Sequence, residues 1–160
     1  MELNKDFKEF IALLNAHEVQ YLVIGGYAVN YHGYPRYTRD IDFWVWMTNE
    51  NVGRLLNALH DFGFGSLGLK AADFMDPDLV IQLGHEPYRI DILVAVEGAA
   101  FDACYARRSE TVLDGVAVNF LSAEDLIRVK RETARLQDLA DAEQIERILN
   151  IGRQNAPDAT

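Results

Sequence analysis

The sequence predicts an α+β (mixed α/β) domain: a mixed β-sheet flanked by helices, with a helical C-terminus. Three observations carry this expectation. Segments of helical and strand periodicity interleave along the chain, two turn signals join short apolar runs as hairpins do, and 160 residues at 49% hydrophobic content suit one core. That order excludes an all-helical bundle and a β-sandwich. Residues 1–151 are expected to form a single domain, and 152–160, with Asn155, Pro157 and Asp158, a frayed tail.

Phe7, Phe10, Ile11, Leu13 and Leu14 recur at helical spacing, so residues 4–17 read as an amphipathic helix. Tyr21-Leu22-Val23-Ile24 is continuously apolar and closed by Gly25-Gly26, as expected of a strand buried on both faces. Ala28 to Tyr31 suits a short helix before the turn formers His32-Gly33-Tyr34-Pro35. From Asp40 to Met47, Ile41, Phe43 and Val45 take one face and Asp40, Asp42, Trp44 and Trp46 the other, which is strand periodicity. Residues 49–62 read as a helix capped at Thr48 or Asn49, with Val52, Leu55, Leu56 and Leu59 on its apolar stripe.

Strands over 79–83 and 88–94 flank Gly84-His85-Glu86-Pro87 at antiparallel hairpin length. Strands over 111–113 and 116–121 flank Asp114-Gly115, the strongest short hairpin signal in the chain. A helical region follows from Ser122, where Ser122 and Asp125 form a capping box, to about Leu149, with a break near Gln137.

Fifteen Lys and Arg against 25 Asp and Glu give a net charge of −10, which repels phosphate chains from most of the surface and disfavours broad nucleic-acid binding. The lone Cys104 forms no intramolecular disulfide, and no apolar run reaches membrane-spanning length. A cytoplasmic location is expected.

Asp40 and Asp42 carry the chemistry. A strand's two-residue period turns both carboxylates to one side, about 6–7 Å apart at the backbone, and like charges so placed call for a compensating cation. Mg²⁺ held by carboxylates and substrate phosphates is the usual solution. Asp-Ile-Asp alone reads first as decoration of a solvent-facing strand edge. Three neighbours favour chemistry. Gly25-Gly26, between strand and helix, leaves backbone N–H groups open to a phosphate. Arg36, Thr38 and Arg39 bring cationic and hydroxyl groups up to the carboxylates. Asp91 sits in an otherwise apolar strand, where a carboxylate needs either a cation such as Arg89 or a place in the same metal site.

Ile24-Gly25-Gly26, a spacer, Asp40-Ile41-Asp42-Phe43 and the later Asp91 resemble the signature of the polymerase-β-type nucleotidyltransferase superfamily. Ser122 to Lys130, with Arg135, Asp138 and Asp141, resembles the tail of the minimal nucleotidyltransferases of abortive-infection and toxin–antitoxin systems, although Gln137 stands where a basic residue is expected. The resemblance implies a nucleotidyltransferase-like fold that is magnesium-dependent and moves a nucleoside monophosphate from a nucleoside triphosphate to a hydroxyl of RNA, protein or a small molecule, releasing pyrophosphate. In it Asp40, Asp42 and Asp91 hold two Mg²⁺ (or Mn²⁺) ions, Asp91 helps deprotonate the acceptor, and Gly25, Gly26, Arg36, Thr38 and Arg39 contact phosphates. A cognate toxin or antitoxin protein is the implied partner, and a non-catalytic binding module with the same fold is the rival.

At 100° per residue, Lys130, Arg131, Arg135, Asp138 and Asp141 form one polar stripe on a continuous helix. It reads first as a solvated face held by Arg135–Asp138 pairing; the resemblance makes Lys130 and Arg135 contacts for triphosphate or RNA. Tyr31, Tyr34 and Tyr37 read as loop packing, and Trp44 and Trp46 as packed beneath helices. An aminoglycoside- or lincosamide-type antibiotic adenylyltransferase is the third and weaker reading, since a chain of 160 residues leaves little material for a dedicated acceptor pocket.

Overall fold

The computed structural model describes residues 3–85, 87–133 and 135–155. The chain order is α1 (Lys5–Ala16), β1 (Tyr21–Ile24), α2 (Gly25–Tyr31), β2 (Ile41–Val45), α3 (Asn49–Leu59), β3 (Val80–Leu83), β4 (Ile90–Leu93), α4 (Phe101–Ala106), β5 (Ser109–Leu113), β6 (Val116–Phe120), α5 (Ala123–Glu132) and α6 (Leu136–Asn155). Among the described residues the strands form one six-stranded mixed sheet in the order β3-β4-β2-β1-β6-β5. β1 runs antiparallel to β2, β2 parallel to β4, and β1 parallel to β6, with β3 and β5 as the edges.

Local chemistry starts the helices where expected. The Asn4 side chain accepts from the Asp6 N–H at 2.9 Å, and the Thr48 hydroxyl accepts from Asn51 N–H at 3.3 Å, each satisfying a backbone donor that the first turn leaves orphaned. Helix α1 then buries Phe7, Phe10, Ile11 and Leu14. Phe10 meets Phe43 of β2 edge to face, with ring centroids 5.2 Å apart, so α1 covers the Phe43 face of the sheet and α3 packs beside it. The opposite face carries Trp44, and α4 covers it: Phe101 meets Trp44 at 5.2 Å and Trp46 at 5.5 Å. The tryptophans therefore pack beneath a helix that sequence periodicity did not reveal. Six residues are too few to show a 3.6-residue repeat.

Both hairpins form. Asp114 (φ 53°) and Gly115 (φ 80°) are both left-handed, the geometry that lets a two-residue turn match strand twist. Strands β2 and β4 are shorter than expected because their mutual register runs only from Ile41↔Ile90 to Trp44↔Leu93. Asp40 lies just outside the ladder.

The C-terminal helical region breaks close to the expected Gln137, but its two parts do not continue along one line. The helix stops at Glu132 and restarts at Leu136, and α5 and α6 fold back on each other, with Arg131 paired to Glu146 and Arg153 to Glu124. The Thr133 hydroxyl lies 3.0 Å from the Lys130 carbonyl oxygen and 2.6 Å from the Asp138 carboxylate, a side-chain alternative to continued helix. One continuous polar stripe therefore does not exist. Helix α6 extends to Asn155, so 152–155 are helical rather than frayed, and 156–160 lie outside the described residues. No described helix is long and apolar enough to cross a membrane.

Candidate active site

The parallel register of β2 and β4 pairs Asp42 with Asp91, so two side chains 49 positions apart leave the same face of the sheet side by side. Asp40 precedes β2 by one residue and joins them from the strand entrance. Burial raises the Asp42 carboxyl from 3.8 to about 6, with the charges of Asp91 and Asp40 adding to the effect and Lys130 opposing it. Asp91 is only 8% exposed. One carboxylate oxygen of Asp40, Oδ1, is buried with no hydrogen-bond partner.

Arg89 answers part of this charge. It lies two residues before Asp91 and so on the same side of the chain, with Nε 2.8 Å from Asp91 Oδ1 and Nη2 3.2 Å from both Asp91 Oδ2 and Asp40 Oδ2. The salt bridge and the carboxylate cluster, alternatives in the sequence, are thus both present. As the side chains stand, among the described residues no three acidic, His or Cys side chains close on one point. The donor set nevertheless fits a hard divalent ion: three oxygen ligand residues, one with an orphaned oxygen and another, Asp42, whose carboxyl burial and the neighbouring carboxylates push up.

The glycine pair is explained by close approach. Gly25 has φ +68°, and a Cβ there would stand 2.2 Å from Asp42 Oδ2; one on Gly26 would stand 2.9 Å from Thr38 Oγ1. Much of the space the two glycines leave is filled by Asp42 and Thr38. Gly26 still lines an open cleft of about 490 Å³ together with Arg36, Tyr37, Thr38, Arg39, Asp40 and Asp42. Thr38 donates to the Asp40 carbonyl at 3.1 Å, holding the approach to β2 in place.

Arg36 reaches this cleft on a double clamp. The Asn30 carboxamide accepts from Arg36 N–H at 3.0 Å and donates to its carbonyl, while the guanidinium pairs with Asp141. Asp141 has no exposure; it also takes Lys130 Nζ at 3.3 Å and Gln137 Nε2 at 2.8 Å. Lys130, 9% exposed, bonds Asp138 at 3.0 Å as well. Lys130 and Asp138 therefore meet across the α5–α6 corner in a buried network, not on a solvated face. Gln137, in the position expected to be basic, donates an amide N–H where a cation would have put a further charge.

Arg39 is exposed and leans on Tyr37, with Nε 3.3 Å from the tyrosine hydroxyl. Tyr37 is 77% exposed at the cleft, contrary to the loop packing expected of it, whereas Tyr31 stacks on Phe120 at 4.2 Å. Arg135 is exposed at the start of α6, and its charge helps hold Asp138 below the usual carboxylate range, after the Thr133 and Lys130 contacts that oppose its burial. His32 donates its Nε2 proton to the Leu121 carbonyl at 2.7 Å and is structural. Sequence reasoning missed Asn30 and gave Arg89 only as a bland alternative. The available signals were a lone polar side chain in the otherwise apolar GGYAVNY helix and a cation two residues before Asp91.

Residues 3–156 match the family described as nucleotidyl transferase of unknown function (DUF2204), and the chain belongs to it. No curated protein matches. Among solved structures, a lincosamide antibiotic adenylyltransferase, LnuA, bound to lincomycin, is similar with a TM-score of 0.56 and 18% identity over 92% of this chain and 98% of that one. ANT(2'')-Ia in complex with adenylyl-2''-tobramycin gives 0.50 and 17% over 92% and 95%. An antigenic nucleotidyltransferase-like protein from Paracoccidioides brasiliensis gives 0.51 and 14% over 94% and 79%. These likenesses show a nucleotidyltransferase fold. They also remove the argument from length, since two antibiotic-modifying chains are matched almost end to end.

Proposed function

We propose that this member of the nucleotidyl transferase family moves a nucleoside monophosphate from a nucleoside triphosphate to the hydroxyl of a small molecule, with Mg²⁺ held by Asp40, Asp42 and Asp91. The observation that carries the reading is the pairing of Asp42 with Asp91 beside the orphaned Asp40 oxygen. Asp40, Asp42 and Asp91 bring three carboxylates together, with Arg89 bridging two of them, so the site calls for further positive charge. A divalent ion there supplies that charge and stabilises the anionic oxygens of a phosphoryl transfer. Arg36, fixed by Asn30 and Asp141, presents a guanidinium edge to phosphate at the cleft, and Arg39, leaning on Tyr37, adds a second cation. Thr38 and the glycine pair keep Asp42 and the β2 entrance in register. Asp91, close to Asp42, is placed to accept the acceptor's proton.

The pairing of the basic residues favours a small acceptor over RNA. Arg107 and Arg128 both bind the buried Asp125, Arg108 binds Glu110, and Arg131 binds Glu146. Each of these cations is already paired with a carboxylate, on a chain of net charge −10. The small-molecule acceptors in the two antibiotic-enzyme structures support the same direction.

The test is pyrophosphate release with each nucleoside triphosphate against a panel of hydroxylated small molecules, with intact-mass analysis of acceptors. Asp42→Asn should lose the activity. Equal activity in that variant sinks the proposal. Nucleotide binding with no pyrophosphate and no mass increment would instead favour the partner-binding module, for which a co-purifying toxin or antitoxin protein is the further check.

A further inference from the structure

We propose that Arg89 is the resident counter-ion of the carboxylate cluster, competing with the divalent cation for Asp40 and Asp91 and swinging aside when the ion loads. The proposal rests on the metal-binding reading of these carboxylates given above.

The geometry is that of a cation in a ligand cage. The Arg89 guanidinium makes a two-pronged contact with Asp91 through Nε and Nη2, at 2.8 and 3.2 Å, and Nη2 reaches Asp40 Oδ2 at 3.2 Å. It thus occupies three of the six oxygens that the three aspartates offer. A guanidinium held on those oxygens takes up part of their acceptor capacity and puts a positive charge where a divalent cation would bind, so the two compete. Arg89 is placed there by strand alternation, two residues before Asp91, and its backbone carbonyl accepts from Ile41 N–H at 3.0 Å, which fixes its Cα beside the cluster. The side chain is 28% exposed on a long, rotatable stem, which gives it a path out of the cluster. Without Arg89, Asp40 and Asp91 would lie side by side with Asp42 at higher repulsion; with it, the empty cluster is stable until a stronger charge arrives. Ion loading then exchanges a monovalent internal cation for a divalent external one and releases a guanidinium beside the cleft.

Mn²⁺ alone serves as the probe, without nucleotide, with binding read from loss of the free-ion electron paramagnetic resonance signal and folding checked by thermal melting. Removing a unit charge from the site in Arg89→Gln should tighten Mn²⁺ about ten-fold or more. Arg89→Lys keeps a charge too compact to span both carboxylates and should tighten it by a smaller factor, which keeps the test valid if the glutamine variant folds poorly. Affinity equal to or weaker than native in both folded variants overturns the proposal. Asp42→Asn separates the two readings: loss of Mn²⁺ binding there with no tightening at Arg89 sinks only the competition, whereas native affinity in Asp42→Asn, or no saturable binding in any variant, sinks the metal site and the competition with it.

Discussion

Asp42 and Asp91 are register partners on adjacent parallel strands, and the charge of Asp91 adds to burial in making Asp42 harder to ionise. Neither strand dictates this alone, because the contact exists only through the β2–β4 pairing.

That relationship sets a pH dependence. The folded-state value of Asp42, about 6, lies above its ordinary 3.8, so the native state holds an extra proton between the two. Stability from this group is therefore full below about pH 4 and declines as pH rises through 6, by about 3 kcal/mol in metal-free protein. Asp42→Asn should remove that decline. Urea unfolding in chelator at pH 4 and pH 7.5 checks it: the variant should be the more stable at pH 7.5 and about level with native at pH 4.

Gly25→Ala should be costly on two counts. The left-handed backbone disfavours any Cβ by about 1–2 kcal/mol, and this Cβ would displace the Asp42 carboxylate. Gly26→Ala, whose neighbour is the Thr38 side chain and whose φ is not positive, should cost less. Denaturant midpoints should rank native above Gly26→Ala above Gly25→Ala, with pyrophosphate release falling in the same order.

Asp141→Asn leaves Lys130 and Arg36 without their shared buried anion and should destabilise the chain by about 3 kcal/mol. Asp138→Asn, at a more exposed position, should cost less. Because Arg36 loses one half of its clamp, the KM for triphosphate should rise more in Asp141→Asn than in Asp138→Asn.

Phe101→Ala should strip the cover from both tryptophans and cost about 3–5 kcal/mol. Tryptophan emission of the folded variant should shift to the red. Unchanged emission would show that α4 does not shield Trp44.

Much of this was legible in the sequence because it is local. β1 has the expected bounds, the Asp114-Gly115 turn follows from two residues that tolerate left-handed backbone, and the placing of Asp40 and Asp42 on one side follows from strand period. α4 was not legible, since Phe101 and Cys104 are its two buried residues and two points define no period. The α5–α6 corner has no described Pro or Gly to announce it; it is held by the Thr133 hydroxyl and by charges that meet only once the helices fold back.

By itself, then, the sequence determined the α+β class, the hairpins and the residue types that meet at the site, because periodicity, turn chemistry and charge spacing act over a few residues. Only the tertiary structure decided that Asp91 stands beside Asp42, that Arg89 bridges Asp91 to Asp40, and that Arg36 is anchored on Asp141, 105 positions away. Those contacts depend on which strands pair and in what register, and on how two helices turn against each other. Both are choices made by burial of the whole core, which no short segment carries.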